Sequence, residues 1–114
     1  MHPYSQLALD LKAAGFSQTV EYRDGVYLPQ TDEYCQPGQI PDGLDAVRVP
    51  HAVALVSSLE HLNYTVECCA IERGPITMRG YRLTAPGMAP IEDGSFGVVL
   101  AKFWLLKKAS GDVR

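Results

Sequence analysis

Residues 97–108 read Gly97-Val-Val-Leu-Ala-Lys-Phe-Trp-Leu-Leu-Lys-Lys108, and their reading decides the fold. β-branched and aromatic residues sit beside good helix formers. Ser95 before the stretch could cap a helix, and Gly111 after it could end one. The density of Val98, Val99, Phe103 and Trp104 favours a strand over Phe96–Lys107. As a strand it would be apolar on both sides. Val98, Leu100, Trp104 and Leu106 would face one way; Val99, Ala101, Phe103 and Leu105 would face the other. Such a strand calls for cover on both faces. Helices supply one cover; a curled sheet, a ligand or a second copy of the chain must supply the other.

Working back along the chain, Ile76–Thr84 predicts a strand whose apolar phase changes across Gly80, which a bulge there would explain. Arg73-Gly74-Pro75 turns the chain, and Tyr64–Ile71 alternates as the preceding strand. Residues 85–95 hold two prolines and two glycines and read as a long loop. Before them, Pro50 opens a helix with Ala52, Leu55, Val56, Leu59 and Leu62 on one stripe and Asn63 as its stop. The N-terminal helix carries Leu7, Ala8, Leu11 and Ala14 on one stripe, with Ser5 as cap and Gly15 as stop. Phe16–Arg23 alternates, Asp24-Gly25 signals a hairpin, and Val26–Leu28 is the return strand, stopped by Pro29. Residues 30–43 lack periodicity and read as a loop of 14 residues, long enough to suggest a function. Leu44–Val49 is a short strand.

An offset of 48 residues superimposes the two halves: Leu7 meets Leu55, Leu11 meets Leu59, Gly15 meets Asn63 and Phe16 meets Tyr64. The expected fold is therefore α+β, one mostly antiparallel sheet of about six strands with two helices on one face. Duplicated αβββ units would span 5–49 and 51–108 within a single domain, 1–114.

The chain has 114 residues, 46% of them hydrophobic and 20% charged, with a formal net charge of −3. That composition is globular and counts against a nucleic-acid partner. No apolar run reaches membrane-spanning length, and Met1–Gly15 lacks the pattern of a secretory signal. Cys35, Cys68 and Cys69 are an odd set, so a cytoplasmic setting with free thiols is expected.

No catalytic or metal motif emerges. His2, His51 and His61 form no HExxH pattern, and on one helix His51 and His61 would lie about 80° apart around its axis. A metal set of Cys35, His51 and Cys68 or Cys69 is conceivable, but buried small apolar roles suit Cys68 and Cys69 better. The acidic neighbours of Cys35 disfavour a thiolate. Ser57-Ser58 lies on a helix without a nucleophile elbow, and no phosphate-binding glycine loop occurs. No metal and no cofactor are expected.

The leading expectation is a small non-catalytic binding protein that uses its long loops and an open sheet face. Its partner would be a second copy, as a homodimer, or another protein. An alternative is an apolar cleft for a small molecule, as a binding domain or small enzyme, lined by Tyr22, Glu21, Glu67, Tyr81 and Trp104. Glu21 and Glu67 follow their helices at near-equivalent repeat positions, the pairing that acid–base chemistry uses. A third reading is a regulator that docks on a larger protein or nucleoprotein through the basic residues Arg79, Arg82 and Lys102.

Overall fold

The computed structural model describes residues 3–113, so His2 lies outside the described residues. The chain gathers into two compact units, Met1–His51 and Ala52–Arg114.

The first unit starts with α1, Pro3–Ala13. Ser5 was expected to cap this helix; instead it lies inside it, fully buried, and shares a 2.7 Å hydrogen bond with the Tyr34 hydroxyl. The inward face is Ser5, Ala8 and Leu11, a three-residue spacing on one side of the helix. Gly15 stops it as the sequence predicts, with φ +92°. The Gly15 N–H donates to the Lys12 carbonyl at 3.1 Å and the Phe16 N–H to the Leu11 carbonyl at 2.9 Å, a Schellman closure.

Three short strands follow: β1 (Gly25–Leu28), β2 (Glu33–Cys35) and β3 (Val47–Val49). They form an antiparallel sheet in the order β2-β1-β3. Tyr27 of β1 packs with Ala8 and Val47 in the core, and Leu9 and Val49 flank them. The Tyr27 hydroxyl donates to Asp32 at 2.8 Å, and that carboxylate raises the phenol's pKa above its ordinary value. Three more expectations fail in this unit. Residues 30–43 are not wholly loop, because β2 lies among them. Phe16–Arg23 is not a strand, and Asp24-Gly25 is not a hairpin tip. Glu21 to Asp24 forms a turn, with the Asp24 N–H donating to the Glu21 carbonyl at 3.0 Å, and the Asp24 side chain points inward.

The second unit runs α2 (Ala52–Ser58), β4 (Thr65–Arg73), β5 (Ile76–Thr84), β6 (Ile91–Asp93) and α3 (Phe96–Ala109). Its sheet is antiparallel in the order β4-β5-β6. Directly opposed residues share a face of a sheet. Glu67 faces Arg82, Cys69 faces Gly80 and Ile71 faces Met78, while Val66 faces Leu83 and Cys68 faces Tyr81. The Leu83 and Tyr81 side lies toward α3: Leu83 is fully buried, and the Tyr81 ring sits 5.5 Å from that of Phe96. The Glu67, Cys69 and Arg82 side faces away from α3 and is called the free face, although Ile71 and Gly80 on it are buried.

The stretch over 96–107 is thus a helix, not a strand. Val98, Val99, Leu100, Ala101, Phe103 and Trp104 are buried on it. A helix buried around most of its circumference looks, residue by residue, like a strand apolar on both faces. Gly111 ends it with φ +83° and the same closure as α1: its N–H reaches the Lys108 carbonyl, and that of Asp112 reaches Lys107. No bulge occurs at Gly80, because the β4–β5 register runs unbroken from Thr65↔Thr84 to Arg73↔Ile76. The apolar phase changes there because Ile76 and Met78 lie on the free face, whereas Tyr81 and Leu83 lie toward α3. Glycine is required for space. A Cβ at position 80 would meet the Ile71 side chain and stand 2.7 Å from the Asp93 carbonyl.

Among the described residues the architecture is α+β, with three α-helices and two separate three-stranded antiparallel sheets in place of one six-stranded sheet. Both units run from a helix into three strands. Their central strands differ, however: the first in chain order in one unit, the second in the other.

Candidate functional site

Two places concentrate polar chemistry, and each lies within one unit. In the first unit Asp24, whose side chain is completely buried, accepts four hydrogen bonds. Its Oδ2 takes the Glu21 N–H at 2.7 Å and the Arg48 Nε–H at 2.6 Å. Its Oδ1 takes the His51 N–H at 3.0 Å and the His51 ring Nδ1–H at 2.6 Å. Burial opposes the charge on this carboxylate, but the donors from Glu21, His51 and Arg48 outweigh it and hold its pKa below the ordinary value of 3.8. Arg48, itself buried, donates from Nη1 to the Ser17 carbonyl at 3.1 Å and lies 5.4 Å over the Phe16 ring. Its own N–H is taken by the Gln18 side chain at 3.0 Å. These contacts explain why Phe16–Arg23 is not a strand: its polar groups are used by Arg48 and Asp24.

Glu21, Asp24 and His51 each bring one potential ligand atom within 4.8 Å of the others. The donor set nevertheless does not suit a cation. A carboxylate offers about four lone-pair sites, and all four on Asp24 are taken. The Arg48 guanidinium already supplies the positive charge, with Nη2 3.6 Å from Glu21. The cluster is a buried ion knot that joins β3 and the residue before α2 to the 16–24 segment. The sequence reading missed Arg48 entirely. Its partners lie 24 to 31 residues away, beyond any local spacing signal.

The second place is the β4–β5 hairpin. Arg82 bridges the free face, donating to Glu92 at 3.1 Å from Nη2 and lying 3.8 Å from Glu67. The Cys69 thiol is 3.8 Å from Glu92. Burial and the Glu92 and Glu67 carboxylates push that thiol's pKa up against the pull of Arg82, so it is a protonated, weakly reactive group at neutral pH. Cys68, expected to be buried, is exposed. In the distal half of the hairpin Ile76 is 64% exposed, and Glu72, Arg73 and Arg79 are exposed too, while Ile71 is buried. A groove beside it is lined by Cys68, Cys69, Ala70, Arg79, Gly80, Tyr81 and Gly94.

The residues expected to line a cleft are placed as follows. Glu21 and Tyr22 are exposed in the first unit, with Tyr22 beside Arg23. In the second unit Glu67 and Tyr81 lie on opposite faces of one hairpin, and Trp104 is buried on α3. Of the basic trio, Arg79 and Arg82 also lie on opposite faces. Lys102, on α3, pairs with Asp93 at 3.7 Å. No described helix is long and apolar enough to cross a membrane. Comparisons with protein-family models, with curated proteins and with solved structures found no match to this chain.

Proposed function

We propose that the protein acts by binding, not catalysis, and that its recognition element is the outer edge of β4. One observation carries this reading. Among the described residues, the nine-residue β4 pairs only with β5, so its other side has no neighbouring strand. Such an edge accepts an extended segment from a partner through main-chain hydrogen bonds. Arg79, exposed beside that edge, adds a positive charge for the partner's side chains. Three free thiols suit a reducing, cytoplasmic setting in this reading.

The test is an amide-resolved NMR titration of the whole protein with short extended peptides rich in Val and Thr. Shifts confined to the amides of residues 66–72, lost in Ala70→Pro, are the expected result. Proline fits an edge strand when its missing N–H would have pointed away from the sheet. Peptides at millimolar concentration that move no β4 amide would end the proposal.

A further inference from the structure

Resting on that reading, we infer that the segment received by β4 is β4 of a second copy, paired antiparallel about a two-fold axis through Ala70. Two independent features of the strand point to this register. The first is hydrogen-bond parity. Arg73 and Ile76 close a two-residue turn, Gly74-Pro75, with Gly74 at φ +62°. Such a turn is closed by a hydrogen-bonded pair, so the main-chain groups of residues 73, 71, 69 and 67 point to β5. Those of Cys68, Ala70 and Glu72 point outward. A two-fold axis through Ala70 sets Ala70 against Ala70 and Cys68 against Glu72 of the second copy, joining outward groups to outward groups. A one-residue slip would set outward groups against inward ones and abolish the ladder.

The second feature is charge. In the same register Glu67 stands opposite Arg73 of the second copy, and Arg73 opposite its Glu67. These are the closely spaced, non-hydrogen-bonded pairs of the new ladder, on the free face. Both side chains are available: Glu67 is 63% exposed and Arg73 62%, and their ion pairs within the unit are long, at 3.8 and 3.9 Å. A slip of two residues toward Cys69 would put Glu67 against Ile71 and Cys69 against Cys69. No other symmetric register of this strand that pairs more than its last two residues brings opposite charges together. The interface is isologous, as two-fold symmetry requires.

Sedimentation equilibrium of the whole reduced protein tests it. The wild type should show a reversible monomer–dimer equilibrium. Glu67→Arg alone and Arg73→Glu alone should each weaken the dimer by about tenfold, since each sets like charges opposite one another. An equimolar mixture of the two variants should associate as a heterodimer at about wild-type strength, which also shows that both variants fold. A wild type that stays monomeric at millimolar concentration overturns the inference. So does a mixture no tighter than its components, or an oxidised dimer joined Cys69 to Cys69. A monomer whose β4 amides still respond to peptides would leave edge binding standing and remove only the second copy. A monomer with silent β4 amides would remove both.

Discussion

Asp24 is the residue on which the first unit turns. A carboxylate with no exposure and four donors is stabilising only while all its partners remain, because Arg48 is buried beside it. Asp24→Ala should therefore cost about 3–5 kcal/mol, read by urea denaturation, since it strands a buried guanidinium. The acid limb follows from the direction of the pKa. The folded state holds this group below its unfolded value, so it binds fewer protons than the unfolded chain. The stabilisation is complete above about pH 4 and is lost as pH falls through the unfolded pKa and then the folded one. Denaturation midpoints measured from pH 6 to pH 2 should fall more steeply for the wild type than for Asp24→Asn. None of this was legible beforehand. Asp-Gly is a strong local signal for a hairpin tip, and only the arrival of Arg48 and His51 from distant positions turns the side chain inward.

Among the elements, the strands β4 and β5 and the glycine stop of α1 were readable, because alternation and helix-end chemistry are local. Helix α3 was misread for a physical reason. Its buried face is so wide that alternation and helical periodicity both fit, and side-chain type then tipped the balance the wrong way. The deciding signals were Gly111 and Lys107-Lys108 in the last turn, which complement a helix C-terminus. Gly111→Ala should cost about 1 kcal/mol in a thermal melt, as a side chain is strained at that positive φ. Gly80→Ala should cost about 1–3 kcal/mol, because the new methyl collides with Ile71 and with the β6 backbone. Strands β2 and β6 have three residues each, too few to show a period, and both lay hidden in presumed loops.

At the scale of the molecule the α+β class was legible, but the full set of strands and their division into two sheets were not: Phe16–Arg23 and 96–107 read as strands and are none, while β2 and β6 read as loop. Pairing partners are set by packing, not by period. The charge is divided along the same line. Residues 1–51 carry three basic and seven acidic side chains, and residues 52–114 carry seven basic and six acidic. The second unit is thus nearly neutral, and a copy of itself approaches it without strong repulsion. If the two Glu67–Arg73 pairs form, raising NaCl from about 0.05 to about 1 M should weaken the dimer several-fold, since exposed pairs are screened over such a range. A dimer insensitive to salt would point to apolar contacts such as Ile76 and Met78 instead.

The sheet of the second unit has unequal margins, nine residues at β4 and three at β6. That inequality sets the size of any assembly. Once two copies have joined along the long margin, each outer margin left over is a three-residue strand, too short to template further growth. A sheet with two long margins would polymerise; on the proposed pairing this one would stop at a pair. In the proposed dimer, the brevity of β6 is what would keep an open edge on β4 from leading to continued growth.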